Sequence, residues 1–164
     1  MPGEVAGGPI AINNAGQVTG ISYPPAPPPQ GTVPAHAYLY TNGQLEDLGS
    51  LGGRAVEGLA INDAGEIVGD SALYPFGGEV HAFVYLDGPM LDLNNLIDPA
   101  LGSTVGVLHE ATGINDRGQI IVNGGDNRAY LLTPLATPVP EPCTLALCGL
   151  ALLGPSLRRR IGQN

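Results

Sequence analysis

The sequence has no lysine and no tryptophan, and its two cysteines, Cys143 and Cys148, both lie in a C-terminal apolar stretch. The body of the chain therefore has neither a disulfide framework nor a thiolate metal site. Positive charge is also scarce. The six basic residues are Arg54, Arg117, Arg128, Arg158, Arg159 and Arg160, against 15 Asp and Glu. Residues 1–139 hold three Arg and 14 acids, a net of −11. A field of that sign repels phosphate backbones, so nucleic acid is disfavoured as a partner. It tolerates cationic partners or Ca²⁺, and it serves solubility. The N-terminus, Met1-Pro2-Gly3-Glu4-Val5, lacks the basic start and long apolar run of a secretory signal. Long helices are excluded as well, because 25 Gly and 16 Pro interrupt every stretch that could form one. Yet 43% of the residues are hydrophobic, too many for a disordered chain. Short strands joined by many turns reconcile the two.

What the chain does contain is a repeat. Ala60-Ile61-Asn62-Asp63-Ala64-Gly65-Glu66-Ile67 is preceded by Ala11-Ile12-Asn13-Asn14-Ala15-Gly16-Gln17-Val18. It is followed by Gly113-Ile114-Asn115-Asp116-Arg117-Gly118-Gln119-Ile120. Intervals of about 50 residues indicate one supersecondary unit copied in tandem. Within each copy, Asn or Asp starts a turn and Gly supplies the positive φ that closes it. Asn13 and Gly16, Asn62, Asp63 and Gly65, and Asn115, Asp116 and Gly118 are thus structural turn residues. A phosphate-cradling role would need a following helix, which is missing.

A second hairpin follows in each unit. His36-Ala37-Tyr38-Leu39-Tyr40, the turn Asn42-Gly43 and Gln44 to Leu48 form the first. His81-Ala82-Phe83-Val84-Tyr85, the turn Asp87-Gly88 and Met90 to Leu93 form the second. Asn-Gly or Asp-Gly between apolar runs is a strong hairpin signal. The third copy, Arg128 to Leu132, stops at Thr133-Pro134 with no return strand. The expected fold is all-β: two full antiparallel four-stranded units and a partial third, spanning 5–133 and resembling propeller blades. The run around Phe83 and Tyr85 is apolar on both strand faces, so both faces should be covered. Tyr23 to Pro34 reads as a proline-rich loop. A short helical turn is expected within Asn94 to Ser103.

The motifs His81-Ala82-Phe83, His36-Ala37-Tyr38, Leu48-Gly49-Ser50-Leu51-Gly52-Gly53 and the repeated Ile-Asn-Asp-x-Gly resemble the HAF-type extracellular repeats of bacteria. That resemblance implies a propeller-like fold and assigns no activity. A closed propeller needs at least four blades. The chain is therefore expected to be a fragment, an open array, or a half that closes by association.

Residues 134–139 form a Pro-rich linker. After it come Val139-Pro140-Glu141-Pro142, an uncharged stretch from Cys143 to Leu157, and Arg158-Arg159-Arg160. A helix of that length reaches about 22 Å, short of the ~30 Å hydrocarbon core. The Arg cluster would stay cytoplasmic and leave the body outside. Segment 140–160 is similar to the PEP-CTERM sorting signal of Gram-negative bacteria. The resemblance implies export, transient anchoring in the inner membrane by a short C-terminal hydrophobic helix, and processing near Pro140-Glu141-Pro142 by a membrane-embedded exosortase. The protein would then reach the cell surface or the matrix, in a biofilm setting with extracellular polysaccharide or protein as partners. The missing secretory signal and missing blades are expected to reflect a truncated N-terminus.

Candidate chemistry in the body is sparse. His36 and His81 hold equivalent repeat positions, where Arg128 stands in the third copy, and are read as capping or packing a strand end. No second nitrogen or thiolate stands at ligand spacing from them. Glu46 and Asp47 point to opposite faces of a strand and cannot act on one bond together. Asp63 and Asp116, with Asn14 in the first copy, could bind Ca²⁺, but capping of their own turns accounts for them better. No nucleophile elbow is present. The expected function is thus non-enzymatic, with no cofactor: an exported, surface-anchored or matrix-released interaction or structural module. The alternative is a fragment of a propeller hydrolase or lyase whose active site lies in missing blades.

Overall fold

In the computed structural model, residues 6–23, 34–75, 78–99 and 105–135 are described. They form three antiparallel sheets with one 3-10 turn. The first sheet holds β1 (Ala6–Ile12), β2 (Val18–Tyr23), β3 (His36–Thr41) and β4 (Gln44–Asp47), in that order. The second repeats it with β5 (Val56–Ile61), β6 (Ile67–Ala72), β7 (Val80–Tyr85) and β8 (Met90–Asp92). The third has β9 (Leu108–Ile114), β10 (Ile120–Gly124) and β11 (Ala129–Leu132), with no fourth strand among the described residues. The all-β expectation and the four-stranded units hold at this level. The Pro-rich loop, the linker beyond Leu135, the C-terminal hydrophobic helix and the sorting segment lie outside the described residues. The chain divides into two units, 1–134 and 135–164.

The turns form as their sequence dictates. Asn13, Asn62 and Asn115 each open a turn whose Gly three residues on, Gly16, Gly65 or Gly118, has φ near +75°, +82° or +69°. In the second hairpins, Asn42-Gly43 takes positive φ at both residues, which matches the twist of the flanking strands. Asp87-Gly88 also joins its two strands, but there only Asp87 has positive φ. Pro89 stands where Gln44 pairs with Thr41 and has no N–H to donate, so pairing starts one step later, at Tyr85 with Met90. The helical turn also differs. It falls at Leu93–Asn95, because the Asp92 carboxylate accepts from Asn94 N–H and starts it there.

Register makes the core. One row of paired residues crosses each sheet: Ile12, Val18, Tyr40 and Leu45 in the first, and Ile61, Ile67, Tyr85 and Met90 in the second. In the third it is Ile114, Ile120 and Leu132. The adjacent row faces the other way. It contains Ala11, Thr19 and Leu39, then Ala60, Val68, Val84 and Leu91, then Gly113, Ile121 and Leu131. Sheets stack with the second row of one unit against the first row of the next. Ala11 and Leu39 therefore pack with Ile61, Ile67, Tyr85 and Met90. Ala60, Val68, Val84 and Leu91 pack with Ile114, Ile120 and Leu132. The middle sheet is covered on both faces, as its apolar runs predicted: Ala82, Phe83, Val84 and Tyr85 are all buried. Replacing the fully buried Phe83 by Ala is expected to cost about 3–5 kcal/mol through lost burial and a cavity. Urea unfolding should show a lower midpoint with little change in slope.

Candidate functional site

The three Asn-containing turns come together at one end of the sheets. The triplets Ile12-Asn13-Asn14, Ile61-Asn62-Asp63 and Ile114-Asn115-Asp116 line a shallow, open depression of about 220 Å³. Within each turn the Asn Oδ1 accepts the backbone N–H four residues on, from Gln17, Glu66 or Gln119, at 2.9–3.0 Å. One amide hydrogen of the same side chain goes to the side-chain oxygen of that residue, Gln17 Oε1, Glu66 Oε2 or Gln119 Oε1. The other hydrogen leaves the unit. Asn13 Nδ2 donates to the Asn62 carbonyl at 2.9 Å, and Asn62 Nδ2 donates to the Asn115 carbonyl at 3.1 Å.

A second set of bonds runs parallel to the first. Asp63 Oδ1 accepts from Asn14 N–H at 2.9 Å, and its Oδ2 accepts from Asn14 Nδ2 at 2.7 Å. Asp116 Oδ1 accepts from Asp63 N–H at 3.0 Å. Here the sequence reading is corrected. Asp63 and Asp116 do not cap their own turns; the preceding Asn does that, and the carboxylates bridge to the turn before. The geometry explains the choice of residue, since a side chain one position past the cap points along the stack and meets the neighbour's exposed N–H. The two Asn14 donors hold the Asp63 carboxyl below the usual carboxylate range. Asp63 thus accepts one N–H at each oxygen and Asp116 one at Oδ1, all from the turn before. Among the described residues, no group of three or more His, Cys, Asp or Glu is placed to hold a metal ion.

The two equivalent histidines do more than pack a strand end. His36 Nδ1 pairs with Asp47 Oδ2 at 2.5 Å, and His81 Nδ1 pairs with Asp92 Oδ2 at 2.7 Å. Each joins the third strand of a unit to the end of the fourth. The signal was available in sequence: both partners stand 11 residues after the histidine. Asp92 is further engaged through Oδ1 by Asn94. His81 Nε2 is buried without a hydrogen bond, and Glu79 Oε1 lies 3.6 Å away, an electrostatic contact beyond bonding distance. In the third unit Arg128 lies 3.6 Å from Asp126 instead. Glu46 and Asp47 diverge as expected, Glu46 accepting from Tyr85 O–H at 3.0 Å while Asp47 holds His36.

One carboxylate group went unread in the sequence. Asp70, on β6, has its carboxyl pushed up to about 6 by burial, with Glu57 and then Glu110 adding like charge. The three belong to β6, β5 and β9 and are brought together only by strand pairing and sheet stacking, so no spacing announces them. No protein-family model, curated protein or solved structure matches the chain.

Two measurements check this account. Asn62→Ala removes a cap, an intra-turn bond and the bond to the third unit, whereas Asn115→Ala removes only the first two. Asn62→Ala should therefore destabilise by about 1 kcal/mol more, the net value of one hydrogen bond, in paired urea titrations. For Asp70 the folded pKa lies above the ordinary value of 3.8. The folded state then keeps the proton longer than the unfolded chain, and stability falls as pH rises from about 4 to about 6. Asp70→Asn should raise Tm at pH 7.5, and the gain should vanish below pH 4; a gain that persists at low pH would contradict the charge origin.

Proposed function

We propose that the chain is an exported, non-enzymatic β-repeat protein, sorted by its C-terminal PEP-CTERM-like segment and held at the cell surface or released into the matrix. Its sheets would be blades of a propeller-like array that presents a surface to extracellular polysaccharide or protein. The observation that carries the reading for the body is the use of polar groups at the turn cluster. The motif residues most suggestive of a binding site spend their donors and acceptors on holding one unit to the next. That is the economy of a scaffold. The net charge of −11 over residues 1–139 adds a preference for neutral or cationic ligands.

For destination, the support is the fixed order of Val139-Pro140-Glu141-Pro142, an uncharged stretch and Arg158-Arg159-Arg160. The linker would free the sorting segment from the sheets, the apolar stretch would hold it in the inner membrane, and an exosortase-type enzyme would process it near Pro140-Glu141-Pro142. Fusing residues 136–164 to an exported reporter should give exosortase-dependent processing, read as a mobility shift and release from the membrane fraction. Replacing Pro140, Glu141 and Pro142 with Ala should abolish it. Processing that continues unchanged in the alanine variant would sink the sorting assignment.

A further inference from the structure

The contact between units is directional, and the chain shows it twice. Each unit offers its second row and the outgoing Asn amide hydrogen to the first row and the Asn carbonyl of the next. Among the described residues, this directional array of three units leaves one face of each kind without a unit against it. On the first unit this is the row Ile12, Val18, Tyr40 and Leu45. Ile12, Tyr40 and Leu45 are 69%, 43% and 42% exposed, whereas their equivalents Ile61 and Tyr85 are buried. On the third unit it is Ile121 and Leu131, 52% and 63% exposed, whereas their equivalents Val68 and Val84 are 0% and 3% exposed.

The hydrogen-bond ladder ends in the same two places. Asn115 Nδ2 bonds to Gln119 Oε1 and, among the described residues, has no next carbonyl to reach. Among the described residues, Asp116 N–H likewise has no carboxylate oxygen corresponding to those that Asn14 and Asp63 find. At the other end the Asn13 carbonyl accepts from Gly16 within its turn and, unlike the Asn62 and Asn115 carbonyls, receives no amide from a preceding unit. Among the described residues, the donors and acceptors left over at the two ends stand in the register already used inside the chain.

We infer that the first unit of one copy docks on the third unit of another, head to tail, repeating the internal contact. Ile12, Tyr40 and Leu45 of one copy cover Ile121 and Leu131 of its partner, Asn115 Nδ2 donates to the partner's Asn13 carbonyl, and Asp116 N–H donates to the partner's Asn14 Oδ1. The occupant is a second copy because its first face has the same row register as the two first faces already seen to fit. Two copies closing on each other present six units, within the four to eight of closed propellers, while three copies would present nine. This count of two rests on the propeller-like reading given above; the contact itself does not.

Sedimentation equilibrium on the full chain tests both. The expected mass is twice 16.7 kDa. Ile12→Asp or Leu131→Asp places a charge at the centre of the joint and should weaken association by about 30-fold or more, the size of a central hot-spot loss. Far-ultraviolet circular dichroism should be unchanged, since both side chains are exposed within one copy. Mixing the two variants should restore a heterodimer, because one joint remains intact, and that result separates head-to-tail docking from a face pairing with itself. A monomeric wild-type chain overturns the inference, whether water or the apolar stretch 143–157 lies on those faces. So does an assembly that persists in both variants, which would belong to the tail. Assemblies larger than two copies that dissolve in both variants keep the contact and overturn the closed propeller-like ring.

Discussion

Each repeat is joined to the next by a side-chain amide with two hydrogens and one oxygen. Asparagine alone fits the duty. Its oxygen closes its own turn, one hydrogen braces that turn from the side, and the other reaches the next unit's carbonyl. Aspartate could accept but not donate; serine has a single hydrogen; glutamine would set the same groups one methylene too far out. The net worth of such a bond is about 1 kcal/mol, less than the ~1.5–3 kcal/mol from burying one large aliphatic side chain. The ladder is therefore better read as the element that sets stagger. By fixing turn against turn, it brings the second row of one sheet onto the first row of the next, and the buried rows then supply the energy. Within the middle sheet, a one-residue slip of strand pairing would turn Ile67 and Tyr85 away from the preceding sheet and replace them with Val68 and Val84.

The sequence made the local elements legible because their causes are local. Asn-x-x-Gly turns, the Asn42-Gly43 hairpin and the doubly apolar strand around Phe83 each declare themselves within a few residues. Errors arose where a neighbour outside the window decided the outcome. Asp92 moved the helical turn forward by acting as its cap. The bridging role of Asp63 and Asp116 was hidden for a stronger reason. A carboxylate at a turn has the same appearance whether it caps its own backbone or the preceding unit's, and only the stacking decides. The Asp70, Glu57 and Glu110 group was more remote still, assembled from three strands of two units. By contrast, the His-Asp pairs leave a signal in the sequence, the interval of 11 residues repeated in both copies.

The charges follow the same division between local and stacked environments. Asp63 and Asp70 are seven residues apart in one hairpin, yet their carboxyls move in opposite directions. Asp63 lies at the open end, where two donors from Asn14 reward ionisation. Asp70 lies in the sheet interface, where removal from water and two carboxylate neighbours oppose it. The interface tolerates this cost because the apolar rows beside it are continuous from Ala60 to Leu91 on one side and Ile114 to Leu132 on the other.

A directional contact has a consequence that a symmetric one lacks. A face that pairs with its own kind is satisfied when two units meet, but a second row that needs a first row always leaves one of each at the ends of a linear stack. Adding units moves the open faces further apart without removing them. Such a stack stops in one of three ways: an end unit with a polar outer face, a segment of other structure laid over the row, or closure of the two ends on each other. The end rows here do not take the first course. Ile12, Tyr40 and Leu45 at one end and Ile121 and Leu131 at the other keep the apolar character of their buried equivalents, at positions where a capped array would carry charge. With 14 acidic residues in the first 139, charge was available to be placed there. Its absence from both rows, together with an Asn115 hydrogen that finds no carbonyl among the described residues, is what favours the proposed head-to-tail contact over a polar cap.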